Sequence, residues 1–381
     1  MSREVNLMKA TLQNVSEPNL FRDTFSYDRI PSIRLGNETV PMRIPEKIWI
    51  TDTTFRDGQQ SRPPYTVEQI VRIFKFMHRI SGKHGLIRQS EFFLYSPNDR
   101  AAVEACLELG YEFPEITAWI RAAKTDFELV KSFGLKETGI LTSCSDYHIF
   151  LKLKKNRRQT LDSYKEIVAA ALENGVRPRC HLEDLTRAGL YGFVLPMINE
   201  LNELCKGSGK TVKIRLCDTM GYGLPFPNAE PPRGVPAIIR AILDETDTRS
   251  EDLEWHGHND FHKVLANGVC AWLYGCSAVN GTFLGFGERT GNPPVEGLVY
   301  DWMGITGIHD GMDTTAITDM AEFFRKEINY PIPANYPFVG MDFNTTRAGI
   351  HADGLTKNEE IYNIFDTEKY LKRPCKVAIS N

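Results

Sequence analysis

The sequence predicts an α/β fold, a (β/α)8 TIM barrel followed by a smaller, mainly helical C-terminal subdomain. From Lys47 to about Gly304, short apolar runs alternate with helical patterns in eight strand and helix units, and roughly 260 residues is the size of one such barrel. Acidic, imidazole and amide side chains collect where those runs end, the face on which barrels of this kind carry their chemistry. A doubly wound open sheet is the runner-up, and no Gly-x-Gly-x-x-Gly follows the first strand to support it.

In chain order, residues 1–44 read as an N-terminal extension. Ile33-Arg34-Leu35, Gly36-Asn37 and Thr39-Val40 predict a hairpin that turns at Asn37. Phe21-Arg22-Asp23 repeats the later Phe55-Arg56-Asp57, but it follows no apolar strand and is taken as chance. The barrel spans 45–304. Its expected strands run from Ile48 to Thr51, Leu86 to Phe92, Glu115 to Ile120, Glu137 to Thr142, Arg179 to Leu182, Val212 to Leu216, Leu253 to His256 and Ala278 to Phe283. Between the first two, Val67, Ile70, Val71, Phe74 and Met77 mark one apolar helical face behind Thr66 as N-cap. Residues 305–381 form the second subdomain, in which Thr314 to Ile328 reads as one amphipathic helix ended by Tyr330-Pro331-Ile332-Pro333. So short a piece with few apolar runs makes a poor core, so it is expected to pack on the barrel or on another subunit.

Composition bounds the function. The chain has 381 residues, 42% hydrophobic and 25% charged, with a formal net charge of −4. That balance points away from nucleic acid and anionic membrane surfaces and toward a small-molecule partner. Met1 to Leu20 lacks a basic start followed by an apolar run, so no secretory leader is expected, and no stretch approaches the ~20 apolar residues that cross a bilayer. The eight cysteines form no Cys-x-x-Cys pair and lie mostly inside apolar runs, which predicts reduced thiols in a cytoplasmic protein.

The chemistry centres on Trp255-His256-Gly257-His258-Asn259-Asp260. Side chains two apart on a strand point the same way, so His256 and His258 aim two imidazoles at one point. The alternative is one buried histidine and one that caps the next helix. An acidic strand end at Asp57, a polar turn from Glu288 to Asn292 and the strand spacing between favour a metal. The strand-end rule collects Asp57, Glu183, Asp184, Asp218, Thr219, His256, His258 and Asn292 on one face. Asp57 with the two histidines suits Zn²⁺, Mn²⁺ or Mg²⁺ with positions left open for substrate oxygens. Arg56 either neutralises an oxyanion near that metal or makes a salt bridge inside the barrel mouth.

As a set, the segments Asp52-Thr53-Thr54-Phe55-Arg56-Asp57-Gly58-Gln59-Gln60, Ser145-Asp146-Tyr147-His148, Glu183-Asp184-Leu185-Thr186-Arg187, Asp218-Thr219-Met220-Gly221, His256-Gly257-His258-Asn259-Asp260 and Gly285-Phe286-Gly287-Glu288-Arg289-Thr290-Gly291-Asn292 resemble the metal-dependent acyl-CoA condensing barrels. That family includes 2-isopropylmalate, homocitrate, citramalate and (Re)-citrate synthases, with hydroxymethylglutaryl-CoA lyase more distant. The resemblance runs from about residue 47 to 373. It implies a divalent metal (Mn, Mg, Zn or Co) held by Asp57, His256 and His258, with Asn292 completing or backing the site. It also implies that Arg56 polarises the carbonyl of a 2-oxo acid, that Thr219 touches the acid's carboxylate, and that acetyl-CoA is the second substrate. Gly349-Ile350-His351-Ala352-Asp353-Gly354 resembles the segment that reaches a neighbouring subunit's barrel, so His351 is expected in proton transfer, with Tyr362 a companion, in an intertwined homodimer.

Two departures from the family pattern matter. Gln59 stands where the family usually has an acid, and an amide takes no proton at neutral pH, so Glu183 becomes the candidate to act with His351. The chain also stops after Arg373-Pro374, before the family's Ser-Gly stretch, the expectation being a shortened chain. Within the family, Asp57-Gly58-Gln59-Gln60, Leu224-Pro225-Phe226-Pro227 with its insertion Pro231-Pro232-Arg233-Gly234-Val235-Pro236, and the stretch from Trp255 to Phe261 look most similar to the (Re)-citrate synthase branch. Arg88, a basic residue in the second strand, is then the candidate to meet the extra carboxylate of oxaloacetate. 2-Isopropylmalate and homocitrate synthases are the alternatives within the family. From other classes come a biotin-dependent carboxyltransferase barrel, which needs a carboxylated lysine at a strand end, and a barrel that only binds a 2-oxo acid.

Overall fold

The computed structural model describes residues 10–121 and 123–379. Eight parallel strands close on themselves in sequence order: β1 (Trp49–Asp52), β2 (Ile87–Phe92), β3 (Glu115–Ile120), β4 (Glu137–Ser143), β5 (Arg177–Glu183), β6 (Lys213–Asp218), β7 (Leu253–Gly257) and β8 (Ala278–Gly281). β8 pairs back onto β1 with Thr51 opposite Asn280, which closes the ring. The predicted barrel is the observed one, with strand ends shifted by a residue or two. Helix Val67–Ser81 begins at Thr66, whose side chain accepts from the Gln69 backbone N–H while the Gln69 side chain accepts from Thr66 N, a reciprocal capping box.

Alternation along the strands sorts their side chains into two environments. Ile50, Ile87, Ile140, Cys180, Leu182, Ile214, Leu216 and Trp255 are buried in the apolar core. The inward-facing set differs from the branched aliphatic filling usual in such barrels. Arg56, Arg179, Lys213 and Arg215 meet Asp57, Glu91, Glu137 and Glu254 there, all of them buried. The pairs form one connected chain: Asp57 to Arg56, Arg56 to Glu91, Glu91 to Arg179 and Arg215, Arg179 and Lys213 to Glu137, and Arg215 to Glu254. Within that chain four buried cations face four buried carboxylates, so each charge has a partner of opposite sign in the low-dielectric interior.

The expected N-terminal hairpin does not form. Leu35 bridges Ala229, Gly36 N donates to Asn228 O at 2.8 Å and Val40 N donates to Pro227 O at 2.9 Å. The segment finds its backbone partners in the loop after β6 instead of in itself. Farther along, Ala316–Lys326 packs on helix Val67–Ser81, with Arg79 clamped by Asp313 and Asp319. Helices Gly349–Lys357 and Thr367–Leu371 come next, with a two-stranded sheet joining Thr345–Thr346 to Lys376–Val377. This last part leaves Ile350 at 79% and Ile364 at 65% exposure.

Candidate metal centre and barrel mouth

β7 delivers His256 and His258 to the C-terminal end of the barrel, and the turn after β1 delivers Arg56 and Asp57. His256 Nε2 and His258 Nε2 lie 3.3 Å apart, and Asp57 Oδ2 lies 3.8 and 3.7 Å from them. All three side chains are buried. Asn292, from the loop after β8, donates through Nδ2 to Gly257 O at 3.1 Å. Its Oδ1 and Asp57 Oδ2 are buried with no hydrogen-bond partner. The two ring nitrogens and the orphaned Asp57 Oδ2 lie within 4.8 Å of one another, and this mixed N/O set fits a divalent metal. Gly287 leaves room for the Asn292 amide: a Cβ there would come within 2.0 Å of Asn292 Oδ1.

The electrostatics agree. Burial alone would raise the Asp57 carboxyl, but Arg56 and the two histidines outweigh it and hold it below the ordinary carboxylate range. Burial pushes both histidines below the ordinary imidazole value of 6.5, so at neutral pH each ring is neutral and keeps one bare nitrogen. Arg56 donates through Nε to Glu91 at 2.8 Å and through Nη1 to Asp57 at 3.0 Å. Of its five N–H donors, three are left over.

The neighbouring strand ends carry Glu183 and Thr219. Burial would raise the Glu183 carboxyl, yet His148, Ser143 and Lys152 bring it down to about 2. Its partners are His148 Nδ1 at 2.9 Å, Lys152 Nζ at 3.1 Å and the Ser143 hydroxyl. Held so low, Glu183 is a carboxylate that orients His148 and accepts few protons at pH 7. Thr219 Oγ1 accepts from Asp184 N at 2.8 Å, which leaves its own hydrogen for another acceptor. Gln59 Oε1 accepts from Tyr65 N at 3.0 Å and serves only as a hydrogen-bonding residue.

Two expected groups lie elsewhere. Arg88 sits at the opposite end of β2 with its guanidinium 4.3 Å from the centre of the Trp49 ring, so its assignment to the substrate carboxylate is corrected. The reason is alternation: Gln89 and Glu91 take the inward positions and turn Arg88 to the outside. His351 and Tyr362 lie against one another with their rings tilted by 34° and ring centres 4.5 Å apart, on the exposed C-terminal part of the chain. Glu91, His148, Arg179, Arg215 and Asn280 are site groups that went unassigned. For Glu91, Arg179 and Arg215 the signal is the period-two runs Gln89-x-Glu91, Arg179-x-His181-x-Glu183 and Lys213-x-Arg215; His148 and Asn280 have none of this kind. Lys213, the buried lysine of that set, starts β6 at the far end and is engaged by Gln89 and Glu137, not standing at a strand end as a carboxyltransferase would need.

A closed parallel barrel with an Asp, His, His cluster at its C-terminal mouth defines a metal-dependent barrel class, and the chain belongs to the HMGL-like family, whose model matches residues 47–324. It is 59% identical to the citrate (Re)-synthase of Syntrophus aciditrophicus over 97% of this chain and 59% of that protein. It is 55% identical to the citrate (Re)-synthase of Clostridium kluyveri over 97% of this chain and 82% of that protein. The chain thus spans 59% of the length of the first relative. A hydroxymethylglutaryl-CoA lyase structure from Bacillus subtilis shares the fold at a TM-score of 0.56 and 21% identity, over 77% of this chain and 97% of that one. Among the described residues, no helix is long and apolar enough to cross a membrane.

Proposed function

We propose that the chain is an acyltransferase that catalyses a metal-dependent Claisen condensation of acetyl-CoA with a 2-oxo acid, oxaloacetate giving citrate. The observation that carries the reading is the buried Asp57, His256, His258 cluster beside Arg56 at the barrel mouth. The two relatives named citrate (Re)-synthase support oxaloacetate as the acceptor over the acids used by isopropylmalate and homocitrate synthases, which are 30% and 28% identical. The eight free cysteines, seven of them buried, support a reducing compartment such as the cytoplasm.

Asp57, His256, His258 and Asn292 hold the divalent cation. When bound, it supplies Lewis-acid polarisation of the ketone and a fixed point for the acid's carboxylate. The free N–H groups of Arg56 add a second positive group at the ketone oxygen, and the Thr219 hydroxyl donates to the carboxylate. Glu91 keeps Arg56 in that pose. Glu183 and His148 stand on the facing side of the mouth as a hydrogen-bonded couple. The base that removes the methyl proton of acetyl-CoA is the partner subunit's His351, with Tyr362 beside it, in a homodimer. Methyl carbon then bonds to ketone carbon, the oxygen takes up a proton, and water cleaves the thioester to release CoA thiol.

The test is thiol release from acetyl-CoA with oxaloacetate, pyruvate, 2-oxoisovalerate and 2-oxoglutarate in turn. Oxaloacetate is expected to be fastest, with citrate formed in equal amount. A tenfold faster rate with 2-oxoisovalerate or 2-oxoglutarate would overturn the acceptor. Carboxyl transfer from carboxybiotin to pyruvate, without thiol release, would overturn the reaction.

A further inference from the structure

His256 reaches the metal position through Nε2, so Nε2 must carry the lone pair and Nδ1 the hydrogen. What fixes that tautomer is Asn280, an inward residue of β8 that is completely buried. His256 Nδ1 lies 2.8 Å from Asn280 Oδ1. The other end of the amide, Nδ2, lies 2.9 Å from Thr51 Oγ1 and 3.3 Å from the Thr51 carbonyl oxygen. A backbone carbonyl only accepts, so the amide nitrogen has to face it. Turned round, Asn280 would set oxygen against oxygen.

The Thr51 hydroxyl reinforces the direction. It donates to Glu254 Oε1, while Arg215 donates to the same carboxylate from Nε at 2.8 Å and from Nη2 at 3.2 Å. A guanidinium only donates, so the carboxylate only accepts, and the Thr51 oxygen is left with a lone pair for Asn280 Nδ2. Donation therefore runs one way, from the His256 ring through Asn280 and Thr51 into Glu254, which Arg215 meets from the other side. β1 and β8 hold its middle members opposite one another, Thr51 beside Asn280.

We propose that Asn280 is a positioning residue that sets the Nδ1–H tautomer of His256, so that a single orientation of the metal-binding nitrogen is built into the barrel before any cation arrives. The inference rests on the metal reading, and measurements on the metal-free chain separate the two. The full chain is stripped with chelator and labelled at its histidine ring nitrogens, the His256 signals being those lost in a His256→Gln chain. The wild-type ring should show hydrogen on Nδ1. Asn280→Leu, close in size but unable to accept, should populate the other tautomer and bind Mn²⁺ about 10- to 100-fold more weakly. Asn280→Asp, which can still accept from the ring, should keep hydrogen on Nδ1 and rescue most of the affinity. Hydrogen on Nε2 in the metal-free wild type overturns the proposal without any variant. So does weak Mn²⁺ binding by Asn280→Leu with the tautomer unchanged, because that would mark a packing role alone. A wild-type chain that binds no Mn²⁺ sinks the metal reading, and the tautomer is then decided by the nitrogen signals.

Discussion

The barrel mouth and the C-terminal part of the chain carry the two halves of the proposed chemistry, and they are built in opposite ways. Around the metal centre the members are buried and tied to neighbours: Asp57 to the adjacent Arg56, Arg56 to Glu91 of β2, His256 to Asn280 of β8. Around His351 the helix Gly349–Lys357 buries only Ala352 and Leu355 and leaves Ile350 exposed, and the imidazole has Tyr362 as its ring neighbour. A preorganised charge site needs a rigid scaffold. Large apolar side chains left in water mark a surface that awaits a partner. The contrast fits the proposed division of labour, in which one chain gathers the metal-binding residues and a second chain supplies the base.

The comparison breaks most sharply at the metal ligands. Asp57→Ala and His258→Ala should each lose bound metal and thiol release by 10²–10³-fold or more, the scale of losing one preorganised charge-stabilising group, with the circular dichroism of the barrel kept. Full metal occupancy in both variants would contradict the ligand set. Next comes stability. Glu91→Gln leaves three guanidinium groups short of their shared carboxylate, and breaking a buried network of this kind costs about 3–5 kcal/mol in urea unfolding. Removing the exposed Asp353 to Lys357 pair by Asp353→Asn should cost less than about 1 kcal/mol.

A pH titration of Mn²⁺ binding sharpens the same picture. Protons compete with metal for imidazole nitrogen, and two histidines at their ordinary value would cost on the order of 100-fold in affinity by about pH 5.5. Burial holds His256 and His258 lower than that, so the competition starts at lower pH. The expected loss between about pH 7.5 and 5.5 is below roughly tenfold; a 100-fold loss would mean that neither ring is desolvated as the structure has it. The smallest effect on the reaction belongs to Arg88→Leu. It removes a contact with Trp49 worth about 1 kcal/mol, and the preference for oxaloacetate over pyruvate should stay as it is.

How much was legible beforehand depends on the periods involved. The eight strands and the meeting of Arg56, Asp57, His256, His258 and Asn292 could be read because apolar runs mark strands and the strand-end rule gathers the polar residues just past them. Arg88 was misplaced because a strand's register decides inside from outside, and a shift of one residue reverses it. Glu91, Arg179, Arg215 and Asn280 escape the apolar-run pattern because the inner face of these strands is polar, its charges compensated pair by pair. The N-terminal hairpin failed for another reason. Turn residues give the local option, but the backbone partner of Gly36 and Val40 lies nearly 190 residues away in sequence, around Pro227 to Ala229, and nothing local reports such a pairing.

The measurement that tests the half-site account most directly is complementation between two inactive chains. His256→Ala lacks a metal ligand and His351→Ala lacks the base, and the two are unfolded together and refolded as a mixture. If the partner subunit's His351 completes each barrel, about half of the dimers are mixed and each holds one intact site and one doubly defective site, so roughly a quarter of wild-type thiol release should return. No recovery, with mixed dimers shown to have formed, would contradict the account and return His351 to its own barrel or to no catalytic role.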